Sequence, residues 1–205
     1  MTDASIPLHA VAMRPIGRLE GRRLLVLLHG YGADEQDLLA VGEAVRGDDD
    51  AVVSLRGPVP VGAGAGWFDG PREAVLAGAG LEAAATAVLA TLNALAAAAG
   101  EPAAVRLLGF SQGGALALAL LHAAPQRFDR VAVLAGFLPA TLPAPPPGAA
   151  VLWARGDADA VIPPEAVART AAALEGRSAT SISVHPGLGH GIDEAELAEV
   201  AAFLR

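Results

Sequence analysis

The 205-residue chain is long enough to bury a substantial core, and we expect residues 1–205 to form a single domain. Apolar residues make up 53% and charged residues 18%, which favours a compact globular fold over disorder. The net charge of −8 argues against a nucleic-acid partner. The chain has no cysteine and all 14 of its basic residues are arginine, which excludes disulfides, a thiol nucleophile and a catalytic lysine.

The N-terminal segment Met1–Ala12 contains Asp3 and no long apolar run, so it does not resemble a signal peptide. The most apolar stretches elsewhere are broken by glycine or contain polar residues, and we predict that none has the length of a membrane span. The sequence therefore predicts a cytoplasmic protein.

Short aliphatic runs alternate with helical stretches, which predicts an α/β fold with a mostly parallel central sheet and helices on both faces. The predicted strands, of which the first is an edge strand, are Leu8–Met13, Leu24–Leu28, Ala51–Leu55, Val105–Leu108, Val131–Leu134, Val151–Ala154 and Ser181–Val184. The predicted helices are Asp34–Arg46 with Asp34 as N-cap, Leu81–Ala99, Gln112–Ala124, Pro164–Leu174 and Ile192–Leu204. Two segments rich in proline or glycine, Val59–Arg72 and Pro139–Gly148, are predicted to be loops.

The most informative segment is Leu107–Gly114, in which Ser111 has a glycine two residues before it and another two residues after it. The segment lies between an apolar run and a helical one, which is the pattern of the nucleophile elbow of an α/β-hydrolase. Such an elbow leaves a strand and enters a helix within one tight turn, and a Cβ on either side would collide with that turn. Ser111 is therefore the candidate nucleophile.

A serine needs a base to take its proton, and in this fold the base is a histidine that follows both the serine and the acid in the chain. After Ser111 the chain has three histidines. His122 falls within the helix after the elbow, and His185 at the end of a strand is more typical of a packed side chain. His190 lies in a glycine-rich loop between the last strand and the last helix, where a base can reach back over the strand ends. We therefore take His190 as the candidate base.

The acid that orients the base should follow the strand Val151–Ala154, where the chain has both Asp157 and Asp159. Either carboxylate could orient a histidine, and Asp157 could equally cap or brace the turn. Asp159 lies farther out, just before an apolar patch that could anchor its loop. Spacing therefore favours Asp159 but leaves Asp157 open.

Acyl transfer also needs two donors for the oxyanion of the tetrahedral intermediate. The backbone N–H of Gln112, at the start of a helix, is one candidate, and the N–H of Tyr31, between two glycines, is the second. His29 precedes this loop and is better suited to bracing it than to acting as a base. A metal site formed by His29 with nearby aspartates lacks a second histidine at ligand spacing, and we expect neither a metal nor a cofactor.

These motifs, in this order, resemble the phospholipase/carboxylesterase family of α/β-hydrolases, the bacterial relatives of acyl-protein thioesterases. The resemblance implies that Ser111 is the nucleophile, Asp159 the orienting acid and His190 the base, and that Tyr31 and Gln112 occupy the oxyanion positions. The loop after His29-Gly30 and the proline-rich segment Pro143–Gly148 depart from the eukaryotic thioesterases, so specificity for lipidated proteins is not carried over. The motifs are Leu28–Glu35, Trp67–Asp69, Gly109–Gly114, Gly156–Pro163 and Gly189–Ile192.

The sequence thus predicts a serine hydrolase without a cap domain that cleaves carboxylic esters, or thioesters, of small to medium acyl chains through an acyl-enzyme. The expected partner is a small-molecule ester, and a homodimer is left open. Trp67, Phe68, Phe137 and Leu138 are the candidate walls of the cleft, although Trp67 and Phe137 could equally be core aromatics. A catalytically silent ligand-binding protein on the same fold, and an amidase or peptidase with the same triad, remain as alternatives.

Overall fold

The computed structural model describes residues 8–205, so most of the N-terminal segment Met1–Ala12 lies outside the described residues. The strands are β1 Ala10–Ala12, β2 Arg23–Leu28, β3 Ala51–Leu55, β4 Val59–Val61, β5 Gly64–Gly66, β6 Ala104–Phe110, β7 Phe128–Leu134, β8 Ala150–Gly156 and β9 Thr180–His185. The helices are α1 Leu39–Val45, α2 Arg72–Ala77, α3 Leu81–Ala99, α4 Gln112–Ala123, α5 Pro164–Leu174 and α6 Glu194–Leu204.

Seven of the strands form one sheet in the order β1-β3-β2-β6-β7-β8-β9. Strand β1 pairs antiparallel with β3 at one edge, and all other neighbours in the sheet are parallel. The predicted α/β fold with a mostly parallel sheet and a short first edge strand is therefore confirmed. Because parallel strands end at the same side of the sheet, the loops after β2, β6, β8 and β9 meet at one edge.

Helices cover both faces of the sheet, and β2 shows why its sequence is continuously aliphatic. Leu24, Val26 and Leu28 join the core formed with α3 and α4, whereas Leu25 and Leu27 join the core formed with α1 and α6. A strand that is buried on both faces has no polar side to present, so its sequence shows no alternation.

The first predicted helix starts later than the sequence suggests. Asp34 does not cap it: the Asp34 carboxylate accepts from the Gln36 N–H at 2.8 Å in a turn, and α1 begins only at Leu39. Aspartate favours such local turns as readily as helix starts, and the two are hard to separate from sequence alone.

The segment Val59–Arg72 is not a plain loop. It contains the antiparallel hairpin of β4 and β5 and leads into α2, which has no buried residue. Strands of only three residues are too short to carry a periodic signal, so the sequence prediction missed them. This hairpin and α2 lie over the carboxyl edge of the sheet, and within residues 8–205 no additional domain covers that edge.

The prediction that no apolar stretch has the length of a membrane span is wrong for helix α3. Its 19 residues are, by length and composition alone, long and apolar enough to cross a membrane. Eight of them are buried, and they pack against the sheet core and α4. The core helix of a folded domain satisfies the same criterion as a membrane span, because both are apolar over most of their surface.

Candidate active site

Ser111 lies at the tight turn between β6 and α4. Its backbone has φ 54° and ψ −114°, a conformation that residues other than glycine rarely adopt. Its amide donates to the Leu134 carbonyl at 2.9 Å, which fixes the turn on the neighbouring strand. A Cβ at Gly109 would overlap the Gly113 carbonyl, and one at Gly113 would overlap the Leu28 carbonyl. The two glycines are therefore required by the close approach of backbone to backbone.

Ser111, His190 and Asp159 form one hydrogen-bonded chain although they lie far apart in sequence. His190 Nε2 is 3.0 Å from Ser111 Oγ, and His190 Nδ1 is 2.8 Å from Asp159 Oδ2. The Asp159 side chain is 4% exposed and that of His190 is 18% exposed. The ring of Phe110 packs beside the imidazole, with 5.1 Å between ring centroids. Sequence reasoning did not single out Phe110, whose only signal is its place directly before the serine.

The two candidate carboxylates take different positions. Asp159 Oδ1 accepts from the amides of Val161 and Ile162 at 2.8 and 3.2 Å, which leaves Oδ2 aimed at His190. Burial raises the pKa of Asp159, but the hydrogen bonds from His190 and from these two amides outweigh it, so the pKa lies below its ordinary value. Asp159 is therefore held as an anion beside the imidazole.

Asp157 instead braces the loop that carries His190. Its Oδ1 accepts from the Gly187 amide at 2.6 Å, and the next amide along, that of Ala158, donates to the Leu188 carbonyl at 3.0 Å. Gly156 has no room for a Cβ, which would overlap the same Leu188 carbonyl. The backbone of the acid loop is thus laid directly against the backbone of the base loop, which fixes the distance between Asp159 and His190.

His29 braces the oxyanion loop from within the core, as the sequence analysis expects. Its Nε2 accepts from the Gly57 amide at 3.0 Å, so its Nδ1 must carry the proton, which it donates to the Gly30 carbonyl at 2.7 Å. Burial lowers the pKa of His29 and outweighs the opposing effect of the Gly30 hydrogen bond. This histidine is therefore neutral and committed to structure.

The residues of the two candidate oxyanion donors, Tyr31 and Gln112, line the same cleft as Ser111. Within residues 8–205 neither the Tyr31 amide nor the Gln112 amide donates to a protein acceptor. The hairpin fixes the loop of Tyr31, because Gly32 N–H donates to the Ala65 carbonyl at 2.8 Å and Ala65 N–H donates to the Ala33 carbonyl at 2.7 Å. Both amides remain available to a ligand oxygen beside Ser111.

The Gln112 side chain has a separate role that sequence reasoning missed. It is 4% exposed, its Oε1 accepts from the Trp67 amide at 2.9 Å, and its Nε2 donates to the Phe68 carbonyl at 2.7 Å. The Trp67 indole N–H in turn donates to the His29 carbonyl at 2.8 Å. Gln112 therefore ties the elbow to the segment that passes over it.

A cleft of about 370 Å³ opens at Ser111. Its lining residues are Tyr31, Asp69, Gly70, Arg72, Val75, Leu76, Ser111, Gln112, Phe137, Val161 and Ile162. Of the four predicted wall residues only Phe137 is among them. Trp67, Phe68 and Leu138 are at most 2% exposed and belong to the main core, so their assignment to the cleft wall is wrong. Backbone hydrogen bonds turn the first two inward, and bulk alone does not show which way a loop aromatic points.

The other two histidines that follow Ser111 in the chain lie away from the hydrogen bonds of Ser111, His190 and Asp159. His122 contacts the Pro143 carbonyl through Nε2 at 2.8 Å, and His185 is nearly buried, 3.6 Å from Asp193 and 3.4 Å from Glu199. Residues 8–205 contain no group of three or more histidine, cysteine, aspartate or glutamate side chains that could hold a metal ion.

An α/β-hydrolase is defined by a parallel sheet that helices cover on both faces and by a serine on a strained elbow. A histidine and an aspartate lie on later loops at the same edge of the sheet. The family described as Phospholipase/Carboxylesterase matches residues 16–205. The chain therefore belongs to the phospholipase/carboxylesterase family, and the resemblance seen in the sequence is confirmed.

Known proteins of similar sequence and structure agree with this. The crystal structure of esterase PE8 is 30% identical, with 97% of this chain and 98% of that chain covered and a TM-score of 0.81. A carboxylesterase from Mesorhizobium loti is 25% identical, with 90% and 88% covered and a TM-score of 0.76. The carboxylesterase SOBER1 of Arabidopsis thaliana is 31% identical over 112 residues, so the matched part is 51% of this chain and about half the length of that relative.

Proposed function

We propose that the protein is a serine hydrolase that cleaves carboxylic esters of small to medium acyl chains through an acyl-enzyme. The proposal is carried by one observation: His190 Nε2 lies 3.0 Å from Ser111 Oγ while its Nδ1 lies 2.8 Å from a buried carboxylate. An imidazole held in this tautomer accepts the serine proton and is stabilised as it becomes charged.

The reaction proceeds in two halves. Ser111 Oγ attacks the ester carbonyl as its proton passes to His190, and the amides of Tyr31 and Gln112 donate to the oxyanion. His190 then returns the proton to the leaving alcohol, and the C–O bond breaks to leave the acyl group on Ser111. In the second half His190 takes a proton from water as the water oxygen attacks the acyl carbonyl. The bond between that carbonyl and Ser111 Oγ then breaks, His190 returns the proton to Oγ, and the carboxylic acid leaves. Residues of the chain supply every group these steps require, and the proposal includes no cofactor.

The size and lining of the cleft support the proposed preference for small to medium acyl chains. Its volume of about 370 Å³ is near the lower end of small-molecule sites, which run from about 300 to 1,000 Å³. Val75, Leu76, Phe137 and Ile162 line it with apolar side chains. A series of 4-nitrophenyl esters from acetate to palmitate should therefore show its highest kcat/KM at short or medium length. A maximum at palmitate would contradict this part of the proposal.

The decisive experiment compares the wild type with Ser111→Ala. We expect turnover of 4-nitrophenyl butyrate and labelling by a fluorophosphonate probe in the wild type, and neither in the variant, with the melting temperature little changed. Ser181→Ala, on the exposed strand β9, is the matched control and should behave as the wild type. Residual activity in Ser111→Ala comparable with the wild type would refute the assignment, and a wild type that the probe does not label would favour a silent binding protein.

Two finer points belong to the same proposal. A parallel assay on an ester, the matching thioester and the matching amide separates an esterase from a thioesterase and from an amidase. Cytoplasmic location and a homodimer stay predictions, which fractionation and light scattering would test.

A further inference from the structure

The cleft at Ser111 contains one cation, Arg72, at the start of α2. Arg72 is exposed, and its Nη2 donates to the carbonyl of Val161, another residue that lines the cleft, at 2.7 Å. Among residues 8–205 no carboxylate oxygen lies within 4.0 Å of a guanidinium nitrogen of Arg72, the distance that defines an ion pair. The guanidinium is thus positioned by a neutral carbonyl, and its other N–H groups remain for a ligand.

The other charged group of the cleft, Asp69, is engaged elsewhere. Its Oδ1 accepts from the Tyr31 hydroxyl at 3.1 Å and from the Gly70 amide at 2.8 Å. These hydrogen bonds tie Asp69 to the oxyanion loop and disperse part of its negative charge. Asp69 therefore does not form an ion pair with Arg72, although both residues line the same cleft.

The position of the cleft relative to the triad shows which part of an ester it receives. His190 protonates the leaving alcohol, so the alcohol must lie beside the imidazole. The cleft is lined by Ser111 and both oxyanion residues but not by His190. A cleft that borders the serine and the oxyanion residues, and not the imidazole, fits the acyl chain.

We infer that the protein prefers esters whose acyl chain ends in a carboxylate, that is, monoesters of short dicarboxylic acids, and that Arg72 binds the distal carboxylate. Guanidinium and carboxylate match in geometry, and the pairing adds charge to the hydrogen bonds. Apolar side chains along the cleft contact the methylene groups between the two carboxyl carbons. This inference rests on the proposed function, because it names the substrate class of the same site.

The test compares two substrates with five-carbon acyl chains, 4-nitrophenyl hemiglutarate and 4-nitrophenyl pentanoate. Arg72→Gln should lower kcat/KM for the hemiglutarate about five- to tenfold, the range expected for a charged pair at a partly solvated site, and change the pentanoate less than about twofold. Arg72→Lys should restore part of the preference. Arg18→Gln removes the same charge from a side chain that is 85% exposed before β2, at the opposite edge of the sheet, and should not change the ratio.

An equal loss on both substrates would show that Arg72 acts only by holding Val161, and an unchanged ratio would show that it does not contact the acyl chain; either result overturns the inference. Calorimetry of glutarate and pentanoate binding to Ser111→Ala, with and without Arg72→Gln, separates this inference from the proposed function. Glutarate binding that depends on Arg72 supports the inference even if ester turnover fails. Equal affinity for the two acids, together with equal turnover, overturns it.

Discussion

The orienting role of Asp159 is testable by a substitution that replaces one carboxylate oxygen with an NH₂ group and removes the negative charge. In Asp159→Asn the side chain has one carbonyl oxygen and one NH₂ group. The amides of Val161 and Ile162 both point at the Oδ1 position, so the carbonyl oxygen must stay there. The NH₂ group then faces His190 Nδ1 and can only donate to it. His190 is forced to carry its proton on Nε2, where it can no longer accept from Ser111.

The expected loss follows from this change of tautomer. In serine hydrolases a base held in the wrong tautomer lowers kcat by about 10⁴-fold, and we expect a loss of about 10³- to 10⁴-fold here. That loss corresponds to about 4 to 5.5 kcal/mol of transition-state stabilisation. The fold should survive, because the substitution keeps the shape of the side chain and both hydrogen bonds to Oδ1.

Asp157→Asn is the matched control, since it removes the same charge two residues earlier. Its carbonyl oxygen can still accept from the Gly187 amide, so we expect less than about a tenfold loss. Turnover of 4-nitrophenyl butyrate measures kcat for both variants, and circular dichroism confirms that each is folded. A larger loss in Asp157→Asn than in Asp159→Asn would mean that the wrong carboxylate has been assigned.

Two further predictions concern the loop of His190 and the terminal helix. Gly156→Ala should lower kcat by about 10²-fold in a folded protein, because the new Cβ displaces the Leu188 carbonyl and with it His190; unchanged kinetics would contradict the close contact. Burial, reinforced by repulsion from neighbouring carboxylates, raises the pKa of Glu196 from about 4.5 to about 7, and no hydrogen-bond partner reaches its carboxylate oxygens. The unfolded chain releases this proton at lower pH than the folded protein does, so the free energy of unfolding falls as the pH rises from about 4.5 to about 7. Glu196→Gln should therefore raise the free energy of unfolding, measured in urea, by about 3 kcal/mol at pH 8 and by little at pH 4. The exposed Glu194→Gln should show no such dependence on pH; equal gains at both pH values in Glu196→Gln would refute the argument.

Local patterns in the sequence were enough to predict the strands of the seven-stranded sheet and the elbow. The run Leu24–Leu28 is aliphatic at every position because both faces of β2 are covered, and the spacing of Gly109 and Gly113 around Ser111 is a steric requirement of the turn. His190 could be chosen over two other histidines because a glycine-rich loop after the last strand can reach the serine. These features depend on near neighbours in the chain, so the chain order of residues reveals them.

Features that depend on contacts between distant segments were not accessible in this way. Trp67 and Phe68 point into the core because Gln112, more than forty residues later, fixes their backbone. The short strands β4 and β5 pair with each other, and Ala65 of β5 exchanges hydrogen bonds with the oxyanion loop, contacts that a three-residue run does not reveal in sequence.

The sequence by itself determined the fold class and was enough to predict the nucleophile and the chain order of the triad, because each depends on local spacing and on the chain order that a parallel sheet imposes. Only the tertiary structure showed that Asp159, and not Asp157, hydrogen bonds to His190. Only the tertiary structure, likewise, placed three predicted wall residues in the core and Arg72 in the cleft. The physical reason is that a hydrogen bond or a buried face is a property of two segments at once, and one segment read alone does not contain it.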